Sequence, residues 1–299
     1  MSIDNSRLTR LERLPTEIVH AVVGFLKPWD VKKLSYTSKR LRQACLPTIF
    51  RRVEFEFSLH GIGELKDLLK SDVRSHVRSF SYELTGLLKP AKEMHDEGDD
   101  ADKIPSYMSV YETLYDICNE QRSIIDEGSD LILASVFCAL PLLKEVELTF
   151  CEALQTGNRL LDDDMFIKKD YHQHHLQVAM SAIQTARQRG VAIHTISLWG
   201  LERPYLHTWE GPDFAAVSET LRRLMENIKT LRLRESDWAL ELLSEHALGL
   251  DEIDMCEATF VDADLRTFLQ TNKSTIQSIG FHGFTAAVLD GGGKDRGWY

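Results

Sequence analysis

The densest set of side chains able to do chemistry is Asp162, Asp163, Asp164, Asp170, His172, His174 and His175. Carboxylates and imidazoles are metal ligands, and a metal-dependent hydrolase needs several of them converging on one point. The spacing fits no H-E-x-x-H pattern or variant of it. On a helix His172 and His175 share a face, whereas His174 does not. Acidic residues ahead of a helix also suit its dipole. The stretch reads as the solvated start of a helix, with a metal-dependent enzyme as the remote alternative.

Nothing else in the chain carries catalysis. There is no G-x-S-x-G. Cys118, Cys138 and Cys151 fall in apolar periodic segments and read as core thiols. The five cysteines, which include Cys45 and Cys256, make no C-x-x-C pair. An odd count without a disulfide framework suits a reducing compartment, the cytoplasm or nucleus. The G-G-G-K at 291–294 is no phosphate loop, because neither Ser/Thr nor a helix follows Lys294. The chain is expected to be non-catalytic, with no catalytic residue, no metal and no cofactor.

Binding is what remains. The 299 residues are 43% hydrophobic and 27% charged, enough for a sizeable core. The longest apolar run, 131–143, is too short to span a bilayer, and the first ten residues hold no apolar signal region. Charge is uneven. Residues 1–52 hold eleven Lys/Arg and four Asp/Glu, a net of +7, so the chain total of −11 leaves −18 for residues 53–299. Such a body is a poor nucleic-acid ligand, since phosphate binding needs clustered cations. A basic module on an acidic body fits an acidic docking partner, although the cations also suit the solvated faces of a short helical unit.

Residues 11–55 read as three short helices. Residues 18–26 are apolar except His20 and Gly24. A helix apolar nearly all round must be buried on more than one side. A unit of about 40 residues buries too little surface to do that alone, so one face is expected to go to another protein. Pro15 starts the first helix and Pro28 stops it; Asp30 is the expected N-cap of the second, and Thr37 or Ser38 of the third, which Pro47 ends.

The stretch Leu14-Pro15-x-Glu17-Ile18, with Val22, Phe25, Leu26, Asp30, Leu34, Ser38 and Leu41, resembles an F-box. The resemblance implies docking on a Skp-type adaptor, and through it a cullin and ubiquitin transfer. It assigns adaptor contact, or the holding together of the helices, to Leu14, Pro15, Ile18, Val22, Phe25, Leu26, Leu34 and Leu41. Glu17 is expected at the rim. An F-box scaffold that never joins a cullin fits the same residues.

Downstream, the pattern apolar-x-x-apolar-x-apolar recurs at Phe50/Val53/Phe55, Val77/Phe80/Tyr82, Leu143/Val146/Leu148, Ile193/Ile196/Leu198, Ile228/Leu231/Leu233, Leu250/Ile253/Met255 and Ile276/Ile279/Phe281. In a strand the last two positions of each set face one core, and the first packs the preceding turn. Helical stretches at 129–139, 173–188, 215–226, 237–246 and 262–270 separate several of these strands. Ser236 or Asp237, and Asp262, are the expected caps of the last two. The fold class is mixed α/β: a three-helix F-box at 11–52, then an irregular leucine-rich-repeat-like helix/strand arc over 53–284. The spacing between strands is uneven (27, 66, 50, 35, 22 and 26 residues), so a compact α/β domain is the alternative.

Residues 1–10 and 285–299 read as flexible ends, and 90–105 as an acidic solvated insertion. The loop at 199–213 holds Trp199, Tyr205 and Trp209, which either face a protein substrate or cover the core edge. Arg232 and Arg234 could read phosphate or line a solvated strand face.

Overall fold

A computed structural model describes residues 11–85, 87, 108–151, 171–201, 212–257, 259–283 and 285–287. The N-terminal unit has three helices, α1 (Thr16–Phe25), α2 (Pro28–Ser35) and α3 (Lys39–Ile49). Val19, Val23, Val31, Leu41, Ala44 and Cys45 form their common core, separate from that of the rest of the chain. Ser38 caps α3, its Oγ accepting from the Leu41 amide at 3.3 Å.

Three expected boundaries shift. Pro15 occupies the cap position ahead of α1. Lys27, not Asp30, is the cap of α2; Pro28 opens that helix because its missing N–H and fixed φ suit a first turn, and Asp30 lies within the turn. Pro47 does not end α3, which runs through it to Ile49.

Seven strands follow: β1 (Arg52–Glu56), β2 (Ser79–Thr85), β3 (Glu145–Cys151), β4 (Thr195–Trp199), β5 (Thr230–Arg234), β6 (Glu252–Cys256) and, after a short β7 (Thr259–Val261), β8 (Ser278–His282). They form one parallel sheet in the order β1-β2-β3-β4-β5-β6-β8. Each carries one of the apolar sets from the sequence, and the sets align. Val53, Phe80, Val146, Ile196, Leu231, Ile253 and Ile279 are successive partners, as are the residues two positions on, from Phe55 to Phe281. A period of two places both rows on the helix-covered side. Val77, Leu143, Ile193, Ile228 and Leu250 are buried in the turns before their strands.

The connections hold α4 (Leu59–Lys70), α5 (Met108–Asp126), α6 (Ser129–Ala139), α7 (Tyr171–Gln188), α8 (Pro212–Leu224), α9 (Asp237–Leu243) and α10 (Asp262–Asn272). The sequence pattern missed α4 and α5, which fill the first two gaps between strands. Ser236 precedes α9 but makes no helix-capping bond; its Oγ is tied instead to the Leu201 amide and the Leu198 carbonyl. Asp262 is the first residue of α10 rather than its cap. The expected flexible tail begins with a strand instead: β9 (Thr285–Ala287) pairs with β7, so backbone bonding orders those three residues. The expected flexible residues 1–10, most of 285–299 and the insertion at 90–105 lie outside the described residues. No helix among the described residues is long and apolar enough to cross a membrane.

Candidate functional site

Helix α1 has two faces. Val19 and Val23 point into the three-helix core, and Ile18 and Phe25 point out. Phe25 is 91% exposed and Ile18 49%. Helix α2 repeats the division: Val31 is buried, whereas Trp29 is 63% exposed and Tyr36, at its C-terminal end, 76%. Four large apolar or aromatic side chains in so short a stretch are more than scattered exposure accounts for. Sequence reasoning picked out Ile18 and Phe25 but missed Trp29 and Tyr36. The signal available was the lone aromatic at each end of α2, outside the apolar spacing of its core side.

The surface around Trp29 is cationic. Lys32 and Lys33 place their ammonium groups 5.9 and 5.5 Å from the indole ring centroid, within range of the ring's quadrupole. The approach to α1 is pinned from α3. The Arg40 guanidinium donates to the carbonyls of Glu12 and Leu14, the latter at 2.6 Å. That fixes Leu14-Pro15 against the helical unit.

The assigned residues divide by burial. Pro15, Glu17, Ile18 and Phe25 are exposed, and Val22 is half-buried. Leu14, Leu26 and Leu34 are half-buried against the helical core. Leu41 is only 3% exposed, so it holds the helices together and cannot touch a partner. Of the two roles expected for it, contact or holding the helices together, the structure gives it the second, because the third helix turns it inward.

The Asp/His stretch also departs from expectation. His172 and His175 lie in α7, 2% and 0% exposed, so this is no solvated helix start. The His175 Nδ1 is 2.9 Å from the Tyr82 hydroxyl, and Phe57 packs edge-on to its ring. His172 sits between Phe150 and Trp238, and burial pushes its pKa down to about 3. The neutral imidazole is thus the folded form. Asp162, Asp163, Asp164 and Asp170 lie outside the described residues. Among the described residues no group of three or more His, Cys, Asp or Glu is placed to hold a metal ion.

Of the loop aromatics, Trp199 is described; Tyr205 and Trp209 are not. Trp199 stands on the polar side of β4, its ring 4.4 Å from the Arg234 guanidinium, with Nε1–H donating to Glu235 at 3.1 Å. It borders a cleft that also includes Arg52, Glu147, Ser197, Arg232 and Asp254.

Residues 11–56 match the F-box-like family model, which supports an F-box protein and adaptor docking by this helical unit. No curated protein matches the chain.

Proposed function

We propose that the chain is the substrate-recognition subunit of a Skp–cullin–F-box ubiquitin ligase. It acts in the cytoplasm or nucleus, where free thiols such as Cys45 and Cys138 persist. The exposed face formed by Ile18, Phe25, Trp29 and Tyr36 meets the Skp-type adaptor, with Lys32 and Lys33 supplying positive charge at its border. Residues 53–284 form a leucine-rich-repeat-like arc that binds a protein substrate. The chain performs no bond chemistry of its own; it positions a substrate for a conjugating enzyme.

The observation that carries the docking reading is Phe25. A phenylalanine almost wholly in water, inside the matched segment, costs solvation that only a partner recovers. Support for the arc comes from seven parallel strands in chain order, each led by a buried apolar turn residue or its half-buried equivalent at Phe50 and Ile276.

The test is co-expression with a Skp-type adaptor followed by size-exclusion chromatography. A stoichiometric complex that is lost with Ile18→Asp plus Phe25→Asp supports the reading. A monomer that ignores the adaptor sinks it. Leu14 is a poorer probe, because it packs on the helical core and its loss confounds folding with docking. Ubiquitin transfer by the reconstituted complex separates a ligase subunit from a scaffold that never joins a cullin.

A further inference from the structure

The side of the sheet opposite the helices is polar, and its register brings together side chains far apart in sequence. Its middle row is Glu54, Ser81, Glu147, Ser197, Arg232, Asp254 and Gly280. Serines 81 and 197 are short, so arginines two strands away lie across them. Arg52 on β1 passes Ser81 to reach Glu147 on β3 at 2.6 Å. Arg232 on β5 passes Ser197 to reach Glu145 on β3, also at 2.6 Å. Arg234 pairs with Glu257 at 2.9 Å and stacks on Trp199.

The arginines on this face are therefore occupied, and the surplus charge is negative. Strands β1 to β8 turn seven carboxylates to this side, from Glu54 and Glu56 on β1 to Glu252 and Asp254 on β6, against Arg52, Arg232 and Arg234: a formal −4. Asp254 adds a specific feature. Its Oδ1 is buried at the cleft and accepts no hydrogen bond among the described residues; His282 Nε2 lies 3.6 Å away. Gly280 keeps that position open, since a Cβ there would lie 2.6 Å from Asp254 Oδ1.

We propose that this sheet face, centred on the cleft between Trp199 and Asp254, binds an extended protein segment bearing lysine or arginine side chains, and does not read phosphorylated residues. The inference rests on reading residues 53–284 as the substrate-binding part. Charge complementarity selects the occupant: a phosphate brought to Arg232 or Arg234 meets guanidiniums already held by Glu145 and Glu257, whereas a cation meets a surplus of carboxylates. Trp199 already carries one guanidinium on its ring, which shows the geometry a cationic side chain finds there. Six inter-strand steps of about 4.8 Å span roughly 29 Å, room for about nine extended residues.

The experiment uses the full chain and two fluorescein-labelled nine-residue peptides, one alternating lysine and serine, the other phosphoserine and glycine, read by fluorescence anisotropy. The lysine peptide is expected to bind, and Asp254→Asn with Glu56→Gln to weaken it at least about fivefold. Glu64→Gln with Asp67→Asn removes the same charge from exposed positions on α4 and is expected to change binding less than about twofold. Equal weakening by both pairs, tighter binding of the phosphoserine peptide, or no binding of either overturns the proposal. Adaptor copurification is scored on the same preparations. Its loss overturns the docking reading and leaves the peptide result standing; its retention beside a failed peptide overturns this inference alone.

Discussion

Truncating Phe25 to alanine separates docking from folding. The side chain is 91% exposed, so its removal takes away almost no contact within the chain. Unfolding free energy is expected to change by less than about 0.5 kcal/mol, the usual range for a surface position. If an adaptor covers this ring, the complex loses the burial of a phenylalanine, about 1.5–3 kcal/mol. Affinity then falls about tenfold to 150-fold. Leu41→Ala is the opposite control. Leu41 is in the helical core, and a cavity there costs about 2–5 kcal/mol of stability. Urea unfolding of the adaptor-free chain gives the first quantity, and calorimetric titration with the adaptor the second. If Phe25→Ala lowers stability by more than about 1 kcal/mol, the ring packs on its own body and the docking face is misassigned. Unchanged affinity in a stable variant refutes the reasoning equally.

Three further outcomes follow from packing. His172 has its folded pKa lowered to about 3 by burial, against 6.5 in the unfolded chain. Its contribution to stability is therefore full above pH 6.5 and is lost as pH falls toward 3, because the unfolded chain takes up a proton that the folded chain refuses. Between pH 8 and pH 5 that amounts to about 2 kcal/mol; urea unfolding at both pH values should show a loss smaller by this amount in His172→Phe, and equal losses would count against it. Gly61→Ala is expected to destabilise by about 1–3 kcal/mol or more, since a Cβ at Gly61 would lie 2.2 Å from the Glu56 carbonyl oxygen and 3.1 Å from the Phe55 ring; thermal melts check it. Asn272→Leu removes an amide that accepts from the Leu248 N–H and donates to the carbonyls of His246 and Phe268. Each buried group left unpaired costs about 1–3 kcal/mol, and a denaturation midpoint unchanged from the native chain would contradict that accounting.

Local pattern made the strands legible. Alternation with a leading apolar residue marks each of the seven, since a period of two is a property of a few neighbouring residues. The third helix's cap at Ser38 follows from equally short spacing, whereas Phe25 is marked for adaptor contact or helix packing only by the resemblance to an F-box, and its outward turn is a fact of the structure. The helix α4 was missed because Gly61 and Gly63 dilute its pattern; Gly61 serves close contact with β1 rather than helix propensity.

The sequence by itself determined the three-helix N-terminal unit, the strand positions and the charge split between the basic N-terminal part and the acidic remainder. Tertiary structure alone decided which side chains meet. Nothing near His172 and His175 foretells burial, because the groups that cover them, Phe57, Tyr82, Phe150 and Trp238, come from distant segments. Arg232 reads as a free cation until the register sets it opposite Ser197 and within reach of Glu145, 87 residues away. Periodicity is carried by neighbours in the chain, whereas burial and charge pairing are set by neighbours in space.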